Sequence, residues 1–420
     1  MHILSEAIQH MENNNYEKAI QLLDQQLENA LDEEKFTIAE IYKQWGFLQK
    51  AQPILQELVV AYPEESELKT ELANIYIELE DDEAAIHLLN DIHEGDSFYV
   101  QALMQLADLY EAQGLYEVAE TKLLSAKQQM PHEPIIDFAL GELFFSIGDY
   151  ARAINYYERL MPHMETVGEV SISARLAEAY AGTGQYEVAL NFYEDVKSDD
   201  PDVIFKHGLT AFYSDQNNVA IHQWKRLMKH DKYYHTVYYY LAKAYENEGL
   251  IEEAYDVSMA GLEVDEFNKE LYYFSSRLAR QLGKYEKSEE LVRQAVLLDP
   301  DYKEAVIFLI ECLKETNRDG AIVELIQEVQ TLGANDPLYD WELARAYEAL
   351  ESYKDALKLY QQAYNQLKHD SDFLKEYAYF LIEEGKIDEG LHIFEDYLKL
   401  EPLDYETEEY VERLKLHSEI

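Results

Sequence analysis

The chain has 420 residues, 35 Lys and Arg against 84 Asp and Glu, and a formal net charge of −49. Nucleic acid and anionic membrane surfaces are poor partners for such a chain, because both are held by clustered Lys and Arg; the surplus of carboxylates instead suits a soluble monomer. A hydrophobic content of 47% excludes a largely disordered chain, and nine prolines with sixteen glycines favour helix over an all-β fold. The single cysteine, Cys312, allows no intramolecular disulfide and no cysteine-based zinc site. The start, Met1-His2-Ile3-Leu4-Ser5-Glu6, has neither a basic region nor a long apolar run, so a reducing, cytoplasmic compartment is expected.

From the first residues onward, one pattern recurs about every 34 residues. A small residue, numbered position 8 of each unit, falls on Ala7, Ala39, Ala73, Ala107, Gly141, Ala177, Gly208, Ala242, Ser276, Ala344 and Ala378; only Ile310, in the tenth unit, is large. A second small residue, position 20, falls on Ala19, Ala51, Ala85, Ala119, Ala153, Ala189, Ala220, Ala254, Ser288, Ala321, Ala356 and Gly390. The tenth unit is one residue short between these marks. Position 11 is mostly aromatic (Tyr42, Tyr76, Tyr110, Phe144, Tyr180, Tyr245, Tyr347). Position 15 is often glycine, as at Gly46, Gly114 and Gly249, and glycine readily takes the left-handed conformation that ends a helix. Pro63, Pro131, Pro201, Pro300 and Pro402 stop the second helix. Each unit therefore reads as a helical hairpin whose small residues let two backbones approach, and which cannot bury itself alone. Most tyrosines sit at positions 11, 17 or 24, Tyr116 among them, where rings are packing groups. Pro53, inside a second helix, predicts a kink or a late helix start. The inserted stretch around Pro162–Gly168 interrupts the period.

The pattern closely resembles the tetratricopeptide repeat family, over nearly the whole chain and in about twelve units. The resemblance implies an all-α, right-handed superhelical solenoid over residues 1–403, with a charged C-terminal capping helix over 404–420. It also implies protein binding rather than catalysis, with the first helix of each hairpin lining a concave groove through positions 2, 5, 9, 12 and 13.

No phosphate-binding loop or nucleophile elbow occurs, and no cofactor or metal site is expected. His230 and His235 make a poor metal pair, and Cys312 reads as a buried, inert thiol. Along the groove positions the sign of charge changes. Asp108, Glu142 and Glu178 stand at position 9 in the early units, whereas Lys243, Arg277 and Arg345 stand there in the later ones. Tyr239, Tyr273 and Trp341 at position 5 and Arg280 at position 12 interleave rings with this charge. Tyr239, Lys243, Tyr273, Arg277, Arg280, Trp341 and Arg345 are thus the candidate partner-binding stripe, suited to an acidic or carboxylate-bearing segment. The competing reading pairs the arginines with nearby glutamates such as Glu270, Glu311 or Glu348. The carboxylate clamp for chaperone tails is not matched, because Thr70 stands where its lysine would be. A scaffold or adaptor is the expected function; the alternative is a peptide-sensing regulator that changes its superhelical pitch.

Overall fold

A computed structural model describes residues 2–418, which form twenty-five helices and one small β-hairpin. The chain divides into two compact units, one ending at Ser198 and one beginning at Asp199. Six hairpins build the first: α1 (His2–Glu12) with α2 (Tyr16–Leu27), α3 (Asp32–Gln44) with α4 (Leu48–Ala61), α5 (Ser66–Glu78) with α6 (Asp82–Asn90), α7 (Tyr99–Ala112) with α8 (Tyr116–Gln129), α9 (Pro134–Ser146) with α10 (Tyr150–Leu160), and α11 (Ile172–Gly182) with α12 (Tyr186–Tyr193). Between α10 and α11 the inserted stretch folds back as β1 (Thr166–Val167) against β2 (Val170–Ser171), turning at Gly168 with φ +56°.

The second unit repeats the plan. α13 (Pro201–Tyr213) pairs with α14 (Asn217–His230), α15 (Thr236–Asn247) with α16 (Ile251–Val264), and α17 (Lys269–Gln281) with α18 (Tyr285–Leu298). α19 (Lys303–Glu315) pairs with α20 (Asp319–Thr331), α21 (Pro337–Ala349) with α22 (Tyr353–Leu367), and α23 (Ser371–Glu383) with α24 (Ile387–Leu400). α25 (Tyr405–Ser418) follows, lays Val411 against the last hairpin and presents Glu406, Glu408, Glu409 and Glu412 to solvent.

Position 15 shows how tightly the sequence period is translated into backbone. All twelve residues there have positive φ: seven glycines, and Asn14, Glu80, Asp215, Asn317 and Glu351 at φ 52–62°. The turn imposes the left-handed conformation even where the side chain opposes it. Five residues on from each of these, the second helix brings its small residue against the first. In the tenth hairpin that residue is Ile322, 1% exposed, and not Ala321, which is only partly buried. The unit is not short; its helix simply carries a large side chain where the others carry a small one. Ile310 and Ile322 then face each other, and α19 and α20 make the sparsest contact of any hairpin. A bulky pair at the close-approach point holds the two backbones apart.

In two hairpins the ring at position 24 leaves room only for glycine at position 8, whereas Tyr193, Tyr360 and Phe394 at position 24 are accompanied by Ala177, Ala344 and Ala378. Where position 24 is leucine, as at Leu55, Leu89 and Leu123, position 8 is alanine. Where position 24 is Tyr157 or Trp224, position 8 is Gly141 or Gly208, and a Cβ built on Gly141 would lie 2.6 Å from the Tyr157 ring. Trp224 is fully buried, and its indole N–H donates to the Phe205 carbonyl at 3.2 Å. Two expectations are adjusted. α4 begins at Leu48 and runs through Pro53, so of the kink or late start expected there the late start does not occur. Four of the position-17 rings are also not packing groups, Tyr16, Tyr116, Tyr285 and Tyr353 being 42–64% exposed, whereas Tyr150 packs against Phe145 at 5.3 Å.

Candidate interaction surface

The structure divides the seven residues of the stripe into three environments. Tyr239 and Lys243 on α15, with Tyr273 and Arg277 on α17, stand together on the first-helix face and are half-buried. The Lys243 ammonium lies 5.3 Å from the Tyr239 ring centre and has no carboxylate within 4 Å among the described residues. The Tyr239 ring packs edge-on against Phe274 at 5.4 Å, and Tyr273 packs the same way against Tyr302 and Phe308. Arg277 is held only loosely, 3.6 Å from Glu246, with 41% of its side chain exposed.

Arg280 lies elsewhere. Its guanidinium pairs with Glu315, reaches the Cys312 sulfur at 3.3 Å and sits 5.3 Å from the Phe308 ring centre. With Tyr285, Glu289, Thr316 and Arg318 it lines a cavity of about 490 Å³ at the hairpin ends. Burial pushes the Cys312 thiol up, which keeps it protonated and unreactive.

Trp341 and Arg345 are committed to the interior. Trp341 is 8% exposed, and its indole N–H donates to Glu376 Oε1 at 2.8 Å. Arg345 stacks over the Trp341 ring at 4.0 Å, donates from Nε to both Glu376 oxygens at 2.6 and 2.9 Å, and donates to Glu342 at 2.9 Å. The Tyr360 hydroxyl donates to Glu376 at 2.8 Å and is 2.9 Å from Glu348. Burial works against the Glu376 charge, but Arg345, Trp341 and Tyr360 together hold its carboxyl below the usual range. The glutamates that pair with the three arginines are Glu246, Glu315 and Glu376 with Glu342, not Glu270, Glu311 or Glu348.

The same constellation occurs in the first unit with its charges exchanged. There Glu142 stands at position 9, Tyr157 at position 24, and Arg175 at position 6 of the next hairpin. Arg175 donates twice to Glu142 at 2.9 Å, and the Tyr157 hydroxyl also bonds Glu142. In the second unit Arg345, Tyr360 and Glu376 occupy those three positions. The motif ties one hairpin to the next, and either sign at position 9 serves if position 6 answers it.

Asp108 occupies position 9 on α7 and has no cation within 4 Å among the described residues. Its edge meets solvent, but enclosure by surrounding protein, and secondarily Glu111, push the carboxyl up to about 6. Because the folded value lies above the unfolded one, the penalty is absent in acid and grows as pH rises through 6. Asp108→Asn is expected to stabilise the protein at neutral pH by about 1 kcal/mol or less, since solvent screens an exposed carboxyl. Denaturation midpoints should show that gain vanishing as the pH is lowered towards about 4.

His230 and His235 do not converge: the first lies 3.8 Å from Asp199 and the second 3.9 Å from Asp265. Among the described residues no group of three or more His, Cys, Asp or Glu could hold a metal ion, and no helix is long and apolar enough to cross a membrane.

Stacked hairpins with small residues at positions 8 and 20 and a left-handed turn at position 15 define a tetratricopeptide-repeat protein. The generic repeat matches residues 269–302. Two further family models match, "YpiA-like, tetratricopeptide repeats" over 111–164 and "YpiA-like, C-terminal tetratricopeptide repeats" over 337–404. The TPR repeat-containing protein YpiA of Bacillus subtilis (strain 168) is 37% identical over 415 residues, covering 98% of both chains. The chain belongs to this YpiA-like family of tetratricopeptide-repeat proteins. Among solved structures, YrrB, described as a TPR protein with an unusual peptide-binding site, is 18% identical. It matches 44% of this chain and 95% of its own at a TM-score of 0.39. The Cut9–Hcn1 hetero-tetramer of APC/C is 12% identical, with 97% and 95% covered and a TM-score of 0.37.

Proposed function

We propose that the protein is an interaction scaffold that binds an acidic or carboxylate-bearing segment of a partner on the face formed by α15 and α17. The observation that carries this reading is the pairing state of the cations. Lys243 has no carboxylate partner and Arg277 only a distant one, beside the half-buried rings of Tyr239 and Tyr273. An incoming carboxylate would meet charge that is available and rings that are already ordered, so little conformational entropy is lost on binding. Trp341, Arg345 and Glu376 contribute by fixing the neighbouring hairpins, and Arg280 by closing the hairpin end. The scaffold acts by binding rather than catalysis, as a monomer in a reducing cytoplasm.

Calorimetry with a synthetic peptide ending in consecutive Asp and Glu residues tests the reading. Lys243→Glu with Arg277→Glu is expected to weaken binding by about 1–3 kcal/mol, and raised salt should weaken the wild type. Equal affinity in a correctly folded variant, with no salt dependence, would remove the site from α15 and α17.

A further inference from the structure

The second unit carries another positive surface, on a different helix and facing away from the hairpin core. α14, Asn217-Asn218-Val219-Ala220-Ile221-His222-Gln223-Trp224-Lys225-Arg226-Leu227-Met228-Lys229-His230, is the only one of the described helices without an Asp or Glu. The helix buries Ala220, Trp224 and Leu227, and the opposite face presents His222, Lys225, Arg226, Lys229 and His230 at helical spacing. Lys232 and Tyr233 extend the patch beyond the helix end, with the Lys232 ammonium 4.9 Å from the centre of a ring that is 64% exposed.

On this face Arg226 pairs with Asp199 and His230 lies 3.8 Å from it, but the lysines are unpaired. Lys225, Lys229 and Lys232 are exposed, and none has a carboxylate within 4 Å among the described residues. α18 also carries Lys287 and Arg293, but each is paired with a glutamate of its own helix, Glu290 and Glu289. The positive field also registers on a neighbour: burial, reinforced by Arg226 and His222, pushes His207 down to about 4. Cations in the last turn do complement the helix dipole, but that accounts for Lys229 and His230 and not for Lys225 or Lys232.

We propose that the solvent face of α14, continued by Lys232 and Tyr233, is a second docking surface, for a short acidic segment of another protein. This goes beyond the α15–α17 reading and stands on separate residues. A short peptide is favoured over nucleic acid because the patch holds few cations within a chain of net charge −49, whereas polyphosphate binding needs many and meets repulsion from the rest. A membrane is disfavoured because the face offers no apolar wedge beside its charges, only the Tyr233 ring.

The test is fluorescence anisotropy of a labelled peptide of Glu-Glu-Leu repeats against the full chain. Wild type is expected to bind, with affinity falling as salt rises. Lys225→Glu, Lys229→Glu and Lys232→Glu together are expected to weaken binding about tenfold or more. The same comparison is made in protein already carrying Lys243→Glu and Arg277→Glu, so that the α15–α17 face does not contribute. There the loss from the lysine changes should persist. Circular dichroism should show unchanged helix content, since all three side chains are exposed; replacing them with glutamine gives a milder set with a smaller loss in the same direction. Absence of peptide binding by wild type, or equal affinity in the triple variant, overturns the proposal. So does tighter binding of duplex DNA or phosphatidylserine vesicles through the same lysines. Loss confined to the Lys243 and Arg277 variant would leave the α15–α17 site standing and remove this one.

Discussion

Replacing Glu376 with glutamine is expected to destabilise the second unit by about 2–4 kcal/mol. The residue gathers Arg345, Trp341 and Tyr360 from the preceding hairpin onto one carboxylate, and glutamine leaves the guanidinium without its main countercharge. The value sits below that for a fully buried pair because 32% of the Arg345 side chain and 31% of the Glu376 side chain remain exposed. Nearest-neighbour stacking should confine the damage: α23, α24 and α25 would lose hydrogen-exchange protection first. The pH dependence has a definite sign. The Glu376 carboxyl is held below its ordinary value, so its stabilisation is complete above the unfolded pKa, near 4.3, and is lost as pH falls through the folded one. The exchanged arrangement in the first unit provides the control. Arg345→Glu with Glu376→Arg recreates the Glu142, Tyr157 and Arg175 order, and should recover part of the loss. Recovery is incomplete because a glutamate at 345 would face Glu342, which now pairs with Arg345. A double variant no more stable than the worse single one would show that the network is not the source of the coupling.

The fold was legible because its period is long, repeated twelve times and anchored by residues with a steric job. Ala107, Gly141 and Ala344 mark close contacts that tolerate nothing larger, and such positions can be counted without coordinates. The tenth hairpin misled by its composition: Ala321 is small and one residue from the right place, and only the left-handed turn at Asn317 shows that Ile322 holds the position. The stripe was legible in part. Repeat position indicates which face a residue occupies, and Tyr239, Lys243, Tyr273 and Arg277 do share one. It does not indicate whether a charge is already answered from the next hairpin. Arg345 looked available because Glu376 is 31 residues away in sequence. The signal lay in position 6 of the following unit, read together with a tyrosine at position 24. Trp341 looked like a surface anchor, but position 5 in that unit lies under α23, where Phe373 packs edge-on against the indole at 5.4 Å. The α14 face was also readable, as a helix without carboxylates, but it lies on a second helix, where the groove argument does not look.

Gly208→Ala is expected to cost about 1–3 kcal/mol, a large effect for one methyl group. The position is helical with ordinary φ, so alanine would otherwise be the better helix former. The obstacle is packing alone: the added carbon would collide with the indole of Trp224, which is fully buried and fixed by its bond to the Phe205 carbonyl. Around that indole lie Phe205, Phe212 and Tyr240, with ring centres 5.9–6.1 Å away, so it has nowhere to move. Trp224→Leu alone should cost about 2–5 kcal/mol through the cavity it leaves. Together the two changes convert the hairpin to the alanine–leucine pairing already used at Ala39 and Leu55, Ala73 and Leu89, and Ala107 and Leu123. The double variant should therefore be more stable than the sum of the single losses predicts, by at least about 1 kcal/mol of coupling. Urea denaturation of the four proteins measures it. Strict additivity would mean that the glycine and the tryptophan are not volume partners, and that a small residue at position 8 is there for a reason other than the ring at position 24.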